Sequence, residues 1–345
     1  MAPVRMRDLA VAVVGVGALG DALVRLLGLA GVGRALLIDP DLAEASNLTR
    51  SLFLRAPDAL NHPKTQVIRQ AAGSLFPDTV FISHSVEIAD VGLQDLQECD
   101  LLFGCLDSES ARLELAYLAT RVDRPVIDGG LSEPGAGYGR VSVFPSRRTA
   151  CFGCGLRQSR RAELLRSFDA SPHGCSERAD EAARSSTPTQ AALISALQLD
   201  LALESQSAEE AYALEMNVRR ETSRHRLPQA GLCPFHGAPG RLIAPPSERA
   251  TFGEILALAE ADQILLDFPI ALEAQCEACL QQAETPVRAA LAEKSTCRNC
   301  GQRSVRPTRV LRTIGLEHAD VRPRDLGLPA RHLYTVKTSG STRRP

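Results

Sequence analysis

Val13-Val14-Gly15-Val16-Gly17-Ala18-Leu19-Gly20 is the stretch on which the fold turns. An apolar run over 9–15 leads into it as a strand, and a helix leaves it through about Ala30. Glycines at this spacing permit a tight turn that brings backbone N–H groups and a helix N-terminus up to a pyrophosphate. Working outward, further strands are expected at 35–39, 80–83, 100–106, 125–128 and 138–144, with helices over 64–75 and 108–122. Strands apolar on both faces alternating with helices indicate an α/β fold with a doubly wound, mostly parallel, Rossmann-like sheet. In such a sheet ligands bind beyond the strand carboxyl ends, where Gly15, Asp39 and Asp107 fall.

A chain of 345 residues can bury this core and still build a smaller module. We expect a domain over 1–246, containing a polar, turn-rich crossover loop at about 155–186, and a C-terminal module over 247–345 that ends in a frayed tail. Thr187-Pro188-Thr189-Gln190 has the form of a helix start, with Thr187 as N-cap, Pro188 in the first turn and Gln190 closing a capping box. The stretch that follows, 191–203, is apolar almost all round and reads as a helix packed inside the domain. Lys and Arg number 39 against 41 Asp and Glu, so no overall field draws the chain to nucleic acid or to an anionic membrane. No run of eighteen apolar residues occurs, and residues 1–8 lack the apolar stretch of a secretory signal, so a cytoplasmic location is expected.

Ten cysteines would suggest disulfides in a small secreted domain, but here most fall in metal-binding spacings. Cys276-x-x-Cys279 and Cys297-x-x-Cys300 are two knuckles seventeen residues apart, the pattern of a structural zinc ribbon whose four thiolates leave no open coordination position. Cys151-x-x-Cys154 needs partners from elsewhere, and Cys233-Pro-Phe-His236 is the candidate, which makes two zinc ions per chain. Redox dithiols are the alternative for the Cys151 pair. Cys99 and Cys105 lie at or within a buried strand. Cys175 stands in a polar segment between His173 and Arg178, a setting that favours the thiolate a nucleophile needs, although a plain surface thiol is the competing reading.

Asp39 follows Gly15 by twenty-four residues, the usual place for a carboxylate that holds ribose hydroxyls. Beyond it come Asp39-Pro40-Asp41, Ser46-Asn47-Leu48-Thr49-Arg50 and His62-Pro63-Lys64. A cofactor with only a pyrophosphate has little use for these groups. A triphosphate attacked at its α-phosphorus needs cations for the leaving pyrophosphate, a role for Arg50 and Lys64, and a carboxylate for magnesium, a role for Asp107.

At this point the chain resembles the ThiF/MoeB and ubiquitin-activating enzyme superfamily. The likeness covers about residues 8–240. It rests on Gly15-x-Gly17-x-x-Gly20, Asp39-x-Asp41, Ser46-Asn47-Leu48-x-Arg50, Lys64, Cys105-Leu106-Asp107-Ser108 with Arg112, and the split zinc pairs. Ser51 stands where family members often have Gln, and His236 where a fourth cysteine is usual. The resemblance implies ATP and Mg²⁺ at a site made by the three glycines, Asp39, Asp41, Asn47, Arg50, Lys64 and Asp107. It also implies adenylation of the C-terminal glycine of a small ubiquitin-like protein, and a homodimer. The loop before Thr187 is where members with a catalytic cysteine carry it. Cys175 would therefore form a thioester for transfer to a conjugating enzyme.

Two other outcomes remain open from sequence. The same adenylate could receive sulfur, as in thiamine or molybdopterin biosynthesis. An NAD-dependent oxidoreductase would use the glycine turn and Asp39 but leave Arg50, Lys64 and Asp107 without a purpose. The arginines at 298, 303, 306, 309 and 312 could suggest a nucleic-acid reader, but few aromatics accompany them for stacking, and a protein-docking or structural role is preferred.

Overall fold

A computed structural model describes residues 5–55, 59–133, 137–168, 187–205, 208–231, 233–236, 240–283 and 286–338. These form two compact units. The larger takes most of 5–156 and 187–236, and the smaller takes 240–338 with 92–94 and 157–168.

The elements run β1 (Ala10–Val14), α1 (Ala18–Leu29), β2 (Arg34–Ile38), α2 (Lys64–Leu75), β3 (Val80–His84), α3 (Leu93–Gln97), β4 (Leu101–Gly104), α4 (Glu109–Val122), β5 (Val126–Leu131), β6 (Gly139–Phe144), α5 (Gln158–Phe168), α6 (Pro188–Ser205), β7 (Tyr212–Met216) and β8 (Thr222–Arg226). The sheet order is β3-β2-β1-β4-β5-β6-β7-β8. The first five strands are parallel and the last three antiparallel. From β1 the chain goes outward to β2 and β3, then crosses to the other side of β1 for β4. The switch point thus lies between β1 and β4, where a doubly wound sheet opens its ligand crevice. Register aligns the carboxyl ends, with Val14 opposite both Ile38 and Gly104, and Gly104 opposite Asp128. Gly15, Asp39 and Cys105 therefore share one edge.

The core is the apolar run read from sequence. Val11, Val13, Leu23, Leu37, Phe103, Ile127, Val141 and Ile194 are buried in one cluster. Each such side chain stabilises the fold by about 1.5–3 kcal/mol. The capping box at α6 forms as expected, with Gln190 N–H donating to Thr187 Oγ1 at 3.1 Å and Thr187 N–H to Gln190 Oε1 at 3.0 Å. The helix itself departs from expectation. Its buried positions, Ala191, Ile194, Ser195, Gln198, Leu201 and Ala202, recur every three or four residues, and Leu203 is 49% exposed. One face of α6 packs on α1, β5 and β6, and the opposite face meets water. The hairpin β7–β8 had no sequence expectation. Its β8 is exposed at every residue, so no alternation marks it.

The smaller unit holds β9 (Arg241–Ile243), α7 (Phe252–Ala259), β10 (Gln263–Cys276), β11 (Val287–Arg288), α8 (Ala289–Lys294), β12 (Val305–Ile314) and β13 (Tyr334–Lys337). Its sheet runs β11-β10-β13-β9, with β12 also paired to β10. Cys276 ends β10 opposite Val305, the first residue of β12, so both cysteine knuckles sit at one end of this long ribbon. Arg309 pairs with Glu273 and Arg306 with Glu277 across it, which neutralises part of the basic row. Among the described residues no helix is long and apolar enough to cross a membrane.

Candidate nucleotide site and metal centres

The glycines divide into two that the fold requires and one that leaves space. Gly15 has φ +87°, and a Cβ there would stand 2.5 Å from the Cys105 carbonyl oxygen. A Cβ on Gly20 would stand 2.0 Å from the Gly15 carbonyl oxygen, so α1 can approach β1 only with glycine here. Gly17 is different, since a Cβ on it would meet nothing within 4 Å. Gly17 is also the N-cap of α1 and supplies no side-chain cap, which leaves the first-turn N–H groups for an anion.

Asp39, 6% exposed, ties the turn to β2. It accepts from Val16 N–H at 2.8 Å and Asp41 N–H at 2.9 Å. Burial pushes its carboxyl up from the ordinary value, and the Lys64 ammonium pulls the other way. Lys64, the first residue of α2, reaches Asp41 Oδ2 at 2.7 Å. Asn47 closes a short 3-10 turn. Its Oδ1 accepts from Glu44 N–H at 2.9 Å, and Glu44 reciprocates to the Asn47 N–H. Arg50 follows on the same loop, half-buried, with no side-chain partner among the described residues.

Asp107 lies past the end of β4. It is exposed, and Ser108 caps α4 instead, with Ala111 N–H donating to its hydroxyl at 3.3 Å. Among the described residues its carboxylate has no partner. Arg112 braces the loop that carries it, binding the Leu106 carbonyl, the Asp128 carboxylate and the Gly129 carbonyl, the last at 3.0 Å. Burial pushes Asp128 up, while Arg112 favours its charged form. Gln198 of α6 donates to the Gly104 and Ile127 carbonyls, both at 3.0 Å, and so locks β4 to β5 beneath the same edge. Of the residues named from sequence, Asp39, Asp41 and Lys64 are linked to one another and, through Val16, to the turn of Gly15, Gly17 and Gly20, whereas Asn47 and Arg50 lie on the loop after β2 and Asp107 on the loop after β4.

Sequence reasoning missed Asp21, Asp128 and Gln198 as parts of this scaffold. Polar residues inside otherwise apolar segments were the available signal. Cys105 borders the site, but burial pushes its thiol up to about 12. Cys175 lies outside the described residues.

Both cysteine constellations converge. Cys151, Cys154, Cys233 and His236 place their ligand atoms within 4.8 Å of one another, as do Cys276, Cys279, Cys297 and Cys300. Sulfur separations are 3.8 Å for Cys151 and Cys233, 4.0 Å for Cys151 and Cys154, and 3.6 Å for both Cys276 with Cys300 and Cys279 with Cys297. A tetrahedron with metal–sulfur bonds of about 2.3 Å has edges of about 3.8 Å, so these are metal-shell spacings and far too long for disulfides. His236 Nδ1 stands 3.5 Å from Cys154 Sγ and completes the first set. In the second, the knuckles repeat one geometry. Leu280 and Gly301, which follow Cys279 and Cys300, have φ +60° and +71° and donate to the Cys276 and Cys297 carbonyls at 2.8 and 2.9 Å. A Ser304 hydroxyl 3.0 Å from Cys276 Sγ holds that thiol down, to about 6. Both sets could hold zinc.

Comparison with known proteins agrees with this geometry. Ubiquitin-like modifier-activating enzyme 5 of Dictyostelium discoideum is 30% identical over 162 residues, 43% of this chain and 42% of that protein. The Drosophila mojavensis protein of the same name is 31% identical over 163 residues, 44% of this chain and 40% of that one. The chain therefore spans about two fifths of the length of these curated relatives. Escherichia coli MccB has a similar fold. Its crystal structure with ATP gives a TM-score of 0.50 at 17% identity, covering 68% of this chain and 67% of that one. With succinimide the score is 0.51 at the same identity, covering 68% of each chain. The ThiF family model matches residues 4–231, the whole span that carries the glycine turn, the loops around it and the Cys151 pair, and the chain belongs to the ThiF family.

Proposed function

We propose that the chain is an ATP-dependent adenylyltransferase that activates the C-terminal carboxylate of a small ubiquitin-like protein ending in glycine. The carboxylate attacks the α-phosphorus of ATP, the bond from that phosphorus to the bridging oxygen breaks, and an acyl-adenylate and pyrophosphate result. No general base is needed, because the nucleophile arrives ionised; positioning and charge stabilisation carry the step. The open face at Gly17 and the uncapped start of α1 receive phosphate oxygens. Asp39 and Asp41 serve the ribose side, and Asn47, Arg50 and Lys64 the phosphates. Asp107 would hold magnesium, which when bound neutralises phosphate charge.

One observation carries this reading. Arg50, on the loop whose following residues bond to Asp21 of α1, and Asp107, just past β4, are a cation and a carboxylate with no partner among the described residues. A dinucleotide offers neither of them a task. The names of the curated relatives favour a ubiquitin-like substrate; a thioester on Cys175 and hand-over to a conjugating enzyme are the ending proposed for it. Delivery of sulfur to the same adenylate is the alternative ending. A homodimer working in the cytoplasm and two zinc ions per chain with purely structural roles complete the proposal.

Isothermal titration with Mg-ATP against NAD tests the nucleotide, and incorporation of labelled pyrophosphate into ATP in the presence of a ubiquitin-like protein tests the reaction. Binding of NAD in preference to ATP would make this a redox enzyme.

A further inference from the structure

Asp21 is a buried carboxylate that the reaction above does not use. It is 2% exposed and sits next to Gly20 in the first turn of α1, where its own N–H donates to the Gly17 carbonyl at 2.8 Å. Its carboxylate faces the chain thirty residues on. It accepts from the Ser51 hydroxyl, from Leu52 N–H at 2.8 Å and from Phe53 N–H at 3.1 Å. Ser51 Oγ accepts in turn from Leu54 N–H at 3.1 Å, and Phe53 and Leu54 are buried in the core. Upstream, Arg50 N–H and Ser51 N–H both donate to the Asn47 carbonyl, at 3.1 and 3.0 Å, so residues 47–51 form one turn.

A buried carboxylate is costly unless donors surround it, and an apolar residue could fill the same volume without that cost. Desolvation does push Asp21 up, against the bonds from Ser51, Leu52 and Phe53. What the three donors accomplish is positional. They stitch the segment bearing Asn47 and Arg50 to the helix that begins at the glycine turn. Arg50 has no side-chain partner to hold it there, so its place is set through its backbone.

We infer that Asp21 is a positioning residue for triphosphate recognition: it fixes the backbone of 47–53 against the first turn of α1 and thereby holds the Arg50 guanidinium where the outer phosphates arrive. The inference rests on the assignment of Arg50 as a phosphate ligand. AMP lacks the outer phosphates, so Asp21 serves the binding of ATP and not of AMP. A merely structural aspartate would affect both nucleotides alike.

The test is equilibrium titration of Mg-ATP and of AMP into the full chain and into Asp21→Asn, Arg50→Ala, the double variant and Ser51→Ala. Asn keeps the shape of Asp but has one acceptor oxygen for three donors. Asp21→Asn is expected to weaken ATP about tenfold while leaving AMP within about twofold, the loss of one charge-assisted contact. The double variant should bind ATP no more weakly than Arg50→Ala, because both changes remove the same contact. Ser51→Ala, which retains two of the three donors, should lose about threefold for ATP alone, and it answers the question if Asp21→Asn does not fold. Equal losses for ATP and AMP, or additive effects of Asp21→Asn and Arg50→Ala, would overturn the inference while leaving the adenylation reading intact. An unsubstituted chain that binds ATP no better than AMP, or an Arg50→Ala variant that binds ATP normally, would instead remove the assignment of Arg50 and the inference with it.

Discussion

Lys64 Nζ lies 2.7 Å from Asp41 Oδ2, and the two side chains are unequally exposed, the lysine at 10% and the aspartate at 64%. The partner carboxylate is therefore largely hydrated and holds the ammonium loosely, so an arriving phosphate can compete for it. The same ammonium lowers the buried Asp39 against its desolvation. Lys64→Met should remove both effects. Asp39 is raised in the folded state, so its penalty is absent below the unfolded value of 3.8 and grows as pH rises through the folded pKa. Raising that pKa further widens the window. The stability gap between the parent and Lys64→Met should open as pH rises through the parent's raised folded pKa and level off once Asp39 is ionised in both. Urea melts at pH 4 to 8 measure this, and a gap that shrinks as pH rises contradicts the assignment of Lys64 as the offsetting cation.

The glycines should separate folding from binding. Gly20→Ala drives a methyl into the Gly15 carbonyl and Gly15→Ala drives one into the Cys105 carbonyl, at a left-handed φ in the latter case. Each should cost about 2 kcal/mol or more of stability. Gly17→Ala meets no atom within 4 Å and should change stability by less than about 1 kcal/mol. Its methyl instead enters the space an anion would take, so ATP affinity should fall. Thermal melts and nucleotide titration on the three variants decide the matter; a Gly17→Ala variant with parental ATP affinity would place the phosphates elsewhere.

What the sequence made legible follows from how local each signal is. Lys64–Leu75 is a helix over the span read for it because Pro63 and the apolar spacing mark it within twelve residues. Cys-x-x-Cys spacing announces a metal shell, and the convergence of Cys151 with Cys233 across eighty-two residues needed only a search for the missing ligands. Asp21 stands out as a polar residue in an apolar helix, but its role was not legible, because an acidic residue in a first helical turn is commonplace and nothing local says that its acceptors serve residues 51–53. The Asp107–Ser108 pair was ambiguous for a similar reason, since either side chain can cap a helix. The hairpin of Tyr212–Met216 and Thr222–Arg226 escaped because its outer strand buries no residue and leaves no period to read.

Metal analysis of the purified chain should return two zinc ions. Cys233→Ser or His236→Ala should lower the count to one by opening the first shell, and Cys297→Ser should do so by opening the second. The two sites lie in separate compact units, so each loss should be independent of the other. A strong chelator should lower the melting temperature of the parent and have a smaller effect on each variant. One zinc in the unsubstituted chain would refute the pairing of Cys151 and Cys154 with Cys233 and His236.

The cysteines outside the metal shells should differ sharply in reactivity. Cys99 and Cys105 are both pushed up to about 12 by burial, so at pH 8 on the order of one molecule in ten thousand carries either thiolate. Iodoacetamide applied to the native chain at pH 8, followed by mass spectrometry, should leave both unmodified, whereas urea should expose both. Cys105 is therefore no substitute for a catalytic thiol despite bordering the nucleotide edge, where it stands 3.7 Å from Gln198 Oε1. If the proposed thioester forms on Cys175, Cys175→Ala should keep pyrophosphate exchange and lose the reducible adduct with the ubiquitin-like protein, while Cys105→Ser should keep both. An adduct that survives Cys175→Ala removes Cys175 from the mechanism, and a thiocarboxylate on the partner in place of an adduct turns the second half of the reaction into sulfur transfer.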